Sequence, residues 1–320
     1  MITIGLATRN RPEHLAQWVA HLQQLEGIGE VPVLIVDQSS QPTMMTLPDT
    51  IQYLHHPGSG LAKARNILLD VCQTAYLVVC DDDCVPEHDW LTVARRLVTT
   101  SPQVALWFGA THPTGTDWTL HHAPTPAGTT AWASRPDGNV CLALRASATA
   151  VQVQQPVAIL ESLGQGNNMI IHVPTARTVG GFDTLLGAGA RCRSGEDVEY
   201  ALRLLYLNYT CAYDPALRVL HDAWQTPEQA AHAAHGYTVG MVAVHVWYAW
   251  YGVSVAREHL AFRFGLRSTN ARDGKPTSGH RERVQLRIQK IMRAMVASLW
   301  GVILGCVLIA RRGAPWHSAR

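Results

Sequence analysis

Short apolar runs alternate with amphipathic stretches through the first third of the chain. Residues 2–7 and 31–36 are β-rich apolar runs of the kind that fill buried strands. Between them Leu15, Trp18, Val19 and Leu22 fall on one helical face, and Gly27-Ile28-Gly29 ends that helix near residue 25. Asn10 or Thr8 is the expected cap, with Pro12 in the first turn. Strand, helix, strand is a βαβ unit, normally parallel and right-handed. The pattern continues with a strand at 51–54, a helix from about 61 to 72, a strand at 75–80, a helix at 89–98 and a strand at 104–109. Residues 111–136 show no clear period and read as a long surface excursion, either shaping an acceptor pocket or a plain variable loop. Regularity returns with one or two strands in 141–153, a strand after Asn168, a short helix at 174–179, a helix opening at Ser194 and strand signals at 211–213 and 218–221. The expected class is α/β.

After Trp224 the pattern becomes helical. Residues 227–263 read as helices, 268–280 as a linker, and 281–293 as a basic stretch. Residues 294–310 are uncharged and mostly apolar, flanked by Arg293 and Arg311-Arg312. That length is at the short edge of a membrane span. The alternatives are a helix lying on an anionic bilayer surface, or one that packs into the core or a homodimer. The division expected is a first domain over 1–225, with halves at about 1–110 and 111–225, and a helical extension over 226–320.

Composition narrows the function classes. The 320 residues are 47% hydrophobic and 16% charged, enough apolar content for a large core. A formal net charge of +2 argues against a dedicated nucleic-acid binder. Seven cysteines without a C-x-x-C pair suit a reducing compartment and give no zinc signature. Met1 to Leu6 reads as a strand and lacks the regions of a signal peptide, so a cytoplasmic location is expected, at the membrane face if the tail binds lipid.

The candidate chemistry sits at strand ends. Asp81-Asp82-Asp83 closes the fourth apolar run, where open α/β sheets hold ligands. Adjacent carboxylates repel unless a cation sits among them, and a hard divalent ion bridging to phosphate does that. A solvated acidic turn is the alternative. Gly58-Ser59-Gly60 opens a helix carrying Lys63 and Arg65, a setting that attracts phosphate, though a flexible cap accounts for it as well. Ser194 would cap the helix that begins with Glu196-Asp197, in capping-box spacing but with Asp where Glu or Gln is usual. Capping explains one of these carboxylates better than two.

Thr8-Arg9-Asn10-Arg11, Val36-Asp37, residues 60–66, Asp81-Asp82-Asp83-Cys84-Val85-Pro86, Gly166-Asn167-Asn168-Met169, Gly180-Gly181-Phe182-Asp183, Gly195-Glu196-Asp197 and Tyr213-x-Pro215 through His221 occur in this order. The ordered set resembles the inverting glycosyltransferases of family 2 over about residues 1–222, which implies a GT-A fold with a mixed central sheet flanked by helices. The resemblance implies that Asp37 contacts the nucleotide base, usually uracil, and that Thr8 and Arg9 line the same pocket. Arg65, assisted by Lys63, would contact base or diphosphate. Asp81 and Asp83 match the D-x-D motif, Asp81 toward ribose or sugar and Asp83 onto Mn²⁺ or Mg²⁺. His221 would complete the metal site. Asp82 is the residue between, grouped with the substrate-binding set. Asp197 matches the catalytic base, and Glu196 would orient substrate or structure. The donor implied is a nucleotide-diphosphate sugar, UDP-linked by expectation, and the acceptor is a hydroxyl on a glycan, a lipid-linked carrier or a small molecule, as in building a cell-envelope polysaccharide.

The chemistry suits these residue types. A cation stabilises the nucleoside diphosphate as it leaves, and a placed carboxylate takes the proton of an attacking hydroxyl. Arg191 and Arg193, in the loop before Glu196-Asp197, depart from the family pattern and suggest negative charge on sugar or acceptor; solvent-facing arginines explain them nearly as well. A nucleotidyltransferase would carry glycine directly after the first strand, where this chain has Thr8 to Pro12. A nicotinamide dehydrogenase fails for want of G-x-G-x-x-G. A non-catalytic sugar-nucleotide-binding module is disfavoured by intact Asp83 and Asp197.

Overall fold

A computed structural model describes residues 1–29, 31–125, 128–154, 164–264 and 280–315. The first unit is β1 (Ile2–Thr8), α1 (Pro12–Leu22), β2 (Val33–Asp37) and β3 (Ile51–His55). It is followed by α2 (Leu61–Val71), β4 (Tyr76–Cys80), β5 (Cys84–Pro86), α3 (Trp90–Thr100) and β6 (Val104–Pro113). Then come β7 (Thr119–Thr125), β8 (Gly128–Ser134), β9 (Val140–Leu144), β10 (Val151–Val153), β11 (Asn168–His172), α4 (Val173–Val179), α5 (Glu196–Tyr206), β12 (Thr210–His221) and β13 (Trp224–Gln225). The chain closes with α6 (Pro227–Trp250), α7 (Ser254–Arg263) and α8 (His280–Arg312).

The main sheet runs β10-β12-β6-β11-β4-β1-β2-β3, with β5 added to the end of β12. β4, β1, β2 and β3 are mutually parallel, so Asp37 and Asp81 emerge on the same edge. β11 is antiparallel to both β4 and β6, which turns the sheet from parallel to mixed. β2 and β4 are buried along their whole length, which is why they read as continuous apolar runs. Two apolar clusters cover the faces. One holds Leu15, Trp18 and Trp90 under α1 and α3; the other holds Leu68, Phe182, Tyr200 and Trp247 under α2, α5 and α6. The halves expected at 1–110 and 111–225 share this one sheet.

Four features depart from the sequence reading. Residues 111–136 are not an irregular excursion: β6 runs on to Pro113, and β7 and β8 pair antiparallel in a second sheet ordered β13-β9-β8-β7. Ser194 does not cap α5, whose N-cap is Gly195; its hydroxyl bonds to α6 instead. The α1 N-cap is Arg11, and no side chain accepts there. Among the described residues, no helix is long and apolar enough to cross a membrane. α8 instead lies along α6, where a Cβ on Gly301 would stand 2.7 Å from Val242 Cβ and one on Gly305 would stand 2.6 Å from Val246 Cβ. The linker read at 268–280 falls largely outside the described residues.

Candidate active site

The site forms where β4, β5, β12 and the α5 N-terminus converge. After Cys80 the chain turns tightly, with Cys84 N–H donating to Asp81 O at 3.0 Å, and re-enters the sheet as β5. β5 pairs with the end of β12, so Cys84 stands opposite His221. Asp222 N–H donates to Asp83 O at 2.7 Å and closes the corner. This pairing, not proximity in sequence, brings Asp83 and His221 together: Asp83 Oδ1 lies 3.5 Å from His221 Nε2. With Cys84 they offer ligand atoms within 4.8 Å of one another.

A buried asparagine supports the turn from beneath. Asn168 Nδ2 donates to Ala110 O at 3.0 Å and Leu217 O at 2.8 Å, and its Oδ1 accepts from Trp90 Nε1 at 3.0 Å. Leu217 lies in the bulge of β12, whose freed carbonyl this bond satisfies. Asn167 O accepts from Asp81 N–H at 3.3 Å. The Gly166-Asn167-Asn168 motif thus holds the acidic turn in place.

Each acid of the triplet has its own environment. Asp82 is buried and accepts from Thr8 Oγ1 and from Arg11 Nη1, both at 2.7 Å. Arg11 also reaches Asp83 Oδ2 at 3.0 Å. Asp83 is held well below the usual carboxylate range: burial opposes this, but His221 and Arg11 outweigh it. Asp81 accepts from Arg65 Nη2 at 3.0 Å, and burial, with its acidic neighbours, pushes it up to about 6 despite Arg65.

Arg65 links the two carboxylate groups. Its guanidinium is 2% exposed, and it donates to Glu196 Oε1 at 2.9 Å, Asp81 Oδ1 at 3.0 Å and Gly166 O at 2.6 Å. Burial and Asp197 push Glu196 up to about 7 against the pull of Arg65. Asp197 is only half-buried. Its Oδ2 accepts from Gly166 N–H at 2.7 Å, and its Oδ1 accepts from Val198 N–H at 2.9 Å. It sits in the first turn of α5, where the helix dipole favours negative charge.

The structure therefore gathers Asp81, Glu196 and Asp197 about Arg65, sets the Asp83–His221 pair beside Asp81, and gives the other expected site residues different neighbours. Asp37 is fully buried; its oxygens accept from Ser39 N–H at 2.8 Å, Thr43 Oγ1 at 2.9 Å and Tyr53 OH, which hold it below its ordinary range in spite of burial. It anchors the 39–44 loop rather than presenting a free carboxylate, and that loop lines an open hollow of about 330 Å³ with Asn10 and Pro12. Thr8 spends its hydroxyl on Asp82. Arg9 is exposed and donates to Gly58 O at 2.8 Å. Lys63 is exposed on α2. Arg65 is walled in by carboxylates and is not open to a diphosphate. Asp82 is tied into the protein interior. Arg11 and Cys84 were missed as site neighbours, although both stood inside quoted motifs, because their partners lie on other strands.

Residues 3–144 match the model for Glycosyl transferase family 2. That stretch of the chain is similar to glycosyltransferase family 2. It is 26% identical over 248 residues to the pre-mycofactocin glycosyltransferase of Mycobacterium tuberculosis (strain CDC 1551 / Oshkosh), covering 69% of this chain and 42% of that protein. The chain thus spans less than half the length of that relative. The succinoglycan biosynthesis protein ExoM of Rhizobium meliloti (strain 1021) is 33% identical over 101 residues, 28% of this chain and 32% of that one. Among solved structures, S. aureus TarS 1-349 in complex with UDP-GlcNAc aligns with TM-score 0.51 at 15% identity, covering 99% of this chain and 89% of that one. This last likeness establishes the GT-A fold, and the family 2 match spans the Asp81–Asp83 turn.

Proposed function

We propose that the protein is a metal-dependent inverting glycosyltransferase, moving a sugar from a nucleotide-diphosphate donor to an acceptor hydroxyl. The observation that carries this is the pairing of two sites across Arg65: a carboxylate–imidazole corner at Asp83 and His221, and a half-exposed carboxylate at Asp197. The donor set suits a Mn²⁺ or Mg²⁺ ion. Asp83 supplies oxygen and His221 Nε2 supplies nitrogen, while His221 Nδ1 faces Leu142 O at 3.2 Å, the outer contact that fixes a metal-binding imidazole. Cys84 is a buried thiol whose ionisation is strongly suppressed by burial, so it backs the site rather than ligating a hard cation. Bound there, the cation supplies Lewis-acid stabilisation of the departing diphosphate. Asp197, oriented by Gly166 N–H, takes the proton of the attacking hydroxyl. Glu196 and Arg65 hold the charge balance around it.

The test is nucleoside diphosphate release from a panel of UDP-, GDP- and dTDP-sugars with Mn²⁺. Release with at least one donor, lost in Asp83→Ala and restored by no other ion, is expected. No release and no binding with any donor would sink the transferase reading.

His221 makes metal uptake pH-dependent. Burial disfavours its charge, but Asp83 and Cys141 outweigh that and push it up to about 10. The imidazole is thus protonated at neutral pH, and a cation must displace that proton. Mn²⁺ affinity should therefore rise between about pH 6 and about pH 9, with proton release. Calorimetry in buffers of differing ionisation enthalpy measures both. Affinity that is flat or falls with pH would remove His221 as a ligand.

The outer face of α8 extends the proposal to a membrane surface. Val296, Leu299, Trp300 and Ile303 are exposed at helical spacing, at 57%, 63%, 48% and 44%. Basic residues Arg293 and Arg311 flank them in sequence, while Arg312 is engaged by Asp183 at 2.9 Å. An apolar stripe with cationic ends lies on an anionic bilayer. Flotation with phosphatidylglycerol vesicles should recover the protein, and Leu299→Ser with Trp300→Ser and Ile303→Ser should abolish recovery. Equal flotation of both proteins would contradict this.

A further inference from the structure

Arg11 stands between the open hollow and the acidic corner. Its neighbours Asn10 and Pro12 line the hollow beside residues 39–44. Its own guanidinium reaches the corner, with Nη1 donating to Asp82 Oδ1 at 2.7 Å and to Asp83 Oδ2 at 3.0 Å. Asn10 lies in the left-handed region at φ +57°, and its N–H donates to Ser39 Oγ at 2.7 Å. That bond pins the chain after β1 to the chain after β2. Arg11 is also the N-cap of α1, so its backbone is fixed by the helix while its side chain stays 47% exposed.

The two acids hold Arg11 unequally. Asp82 is buried and committed on both oxygens: Oδ2 accepts from Thr8 Oγ1 at 2.7 Å, and Oδ1 from Arg11. Asp83 turns Oδ1 to His221 Nε2 at 3.5 Å and leaves Oδ2 to Arg11. A divalent cation at Asp83 would stand beside the guanidinium, and like charges repel. The Arg11–Asp83 contact is thus the one that a cation displaces, and Asp82 keeps Arg11 close when it goes. Among the described residues both of these contacts use Nη1, so Nη2 and Nε keep three further N–H donors. Such a fork matches phosphate oxygens. The cations expected at the diphosphate are placed otherwise: Arg65 is enclosed, and Arg9 donates to Gly58 O.

We propose that Arg11 holds the metal ion's place at Asp83 and, once the ion binds, pairs with the diphosphate of the donor. This rests on the nucleotide-sugar reading above. The diphosphate then runs from a nucleoside in the hollow, past Arg11, to the cation at Asp83 and His221. Asp82 is the positioning residue that anchors Arg11 through this exchange.

The test uses the full chain, Mn²⁺, and the nucleoside diphosphate of the sugar that the donor panel selects. Calorimetry measures the affinity for Mn²⁺ alone, then for the diphosphate at saturating Mn²⁺. Arg11→Met should bind Mn²⁺ alone about 5-fold more tightly, because a neighbouring positive charge is gone. It should bind the diphosphate about 10-fold more weakly, because charge-assisted hydrogen bonds are lost. Arg11→Lys keeps the charge without the fork, so its Mn²⁺ affinity should stay within about twofold of wild type. Its diphosphate affinity should fall between those of wild type and Arg11→Met. A structural role would instead weaken both affinities in parallel with the melting temperature, and that result would overturn the assignment. So would wild-type diphosphate affinity in Arg11→Met, or in Arg11→Lys should the methionine variant not fold. These outcomes leave the transferase reading intact; a wild-type protein that selects no donor overturns both.

Discussion

Asp197→Asn is expected to lower kcat by about 10²- to 10⁴-fold, the range a positioned general base supplies, with donor affinity preserved. The substitution is isosteric, and its side-chain oxygen can still accept from Gly166 N–H, which Asp197 Oδ2 meets at 2.7 Å. Folding and the turn at 165–167 should therefore survive. What is lost is the ability to take a proton from the acceptor hydroxyl. Glu196 cannot take over that role: its Oε1 is held by Arg65 at 2.9 Å, and the side chain is buried away from an incoming hydroxyl. Steady-state kinetics and calorimetry with donor and Mn²⁺ separate the two effects. Unchanged kcat would remove Asp197 as the base; loss of donor binding would make its role structural.

Arg65→Met is expected to destabilise the protein by about 3–5 kcal/mol, the cost of stripping one partner from a buried ion pair. The guanidinium is 2% exposed and is the cation shared by Asp81 and Glu196. Without it those acids face Asp83 and Asp197 with no counter-charge, and they must take up protons to remain buried. Arg65→Lys should recover part of the loss, since an ammonium can serve one carboxylate but lacks the fork that reaches two. Urea denaturation at pH 7 measures this as a fall in midpoint at constant slope. A midpoint equal to wild type would show that these pairs are energetically neutral.

The βαβ start was legible because its information is local. Val33 to Val36 and Tyr76 to Cys80 are apolar on both sheet faces, so their period, length and polar ends mark buried parallel strands. The acidic strand end and the Glu196-Asp197 helix start were legible for the same reason. The β7–β8 hairpin was not: His121, His122, Pro124 and the threonines around them give little β signal until the partner strand is known. Partner choice was the other blind spot. Arg65 looked like a phosphate ligand from its helix-opening position, but its neighbour Glu196 lies 131 residues away, and burial decided its role. Thr8, Asp37 and Asp82 likewise carry the right chemistry at the right strand ends, with their oxygens already committed to other side chains. Ser194 had a capping residue's spacing, but α6 claimed its hydroxyl, a tertiary contact that no local rule anticipates.

The central claim is a single displacement at the anomeric carbon with Asp197 as base, and the anomeric configuration of the first product tests it most directly. Proton NMR can follow hydrolysis of an α-linked nucleotide sugar by the wild-type protein with Mn²⁺, using water as acceptor. Appearance of the β anomer before mutarotation is the predicted result. Appearance of the α anomer first would require a route other than one inverting attack and would contradict the account.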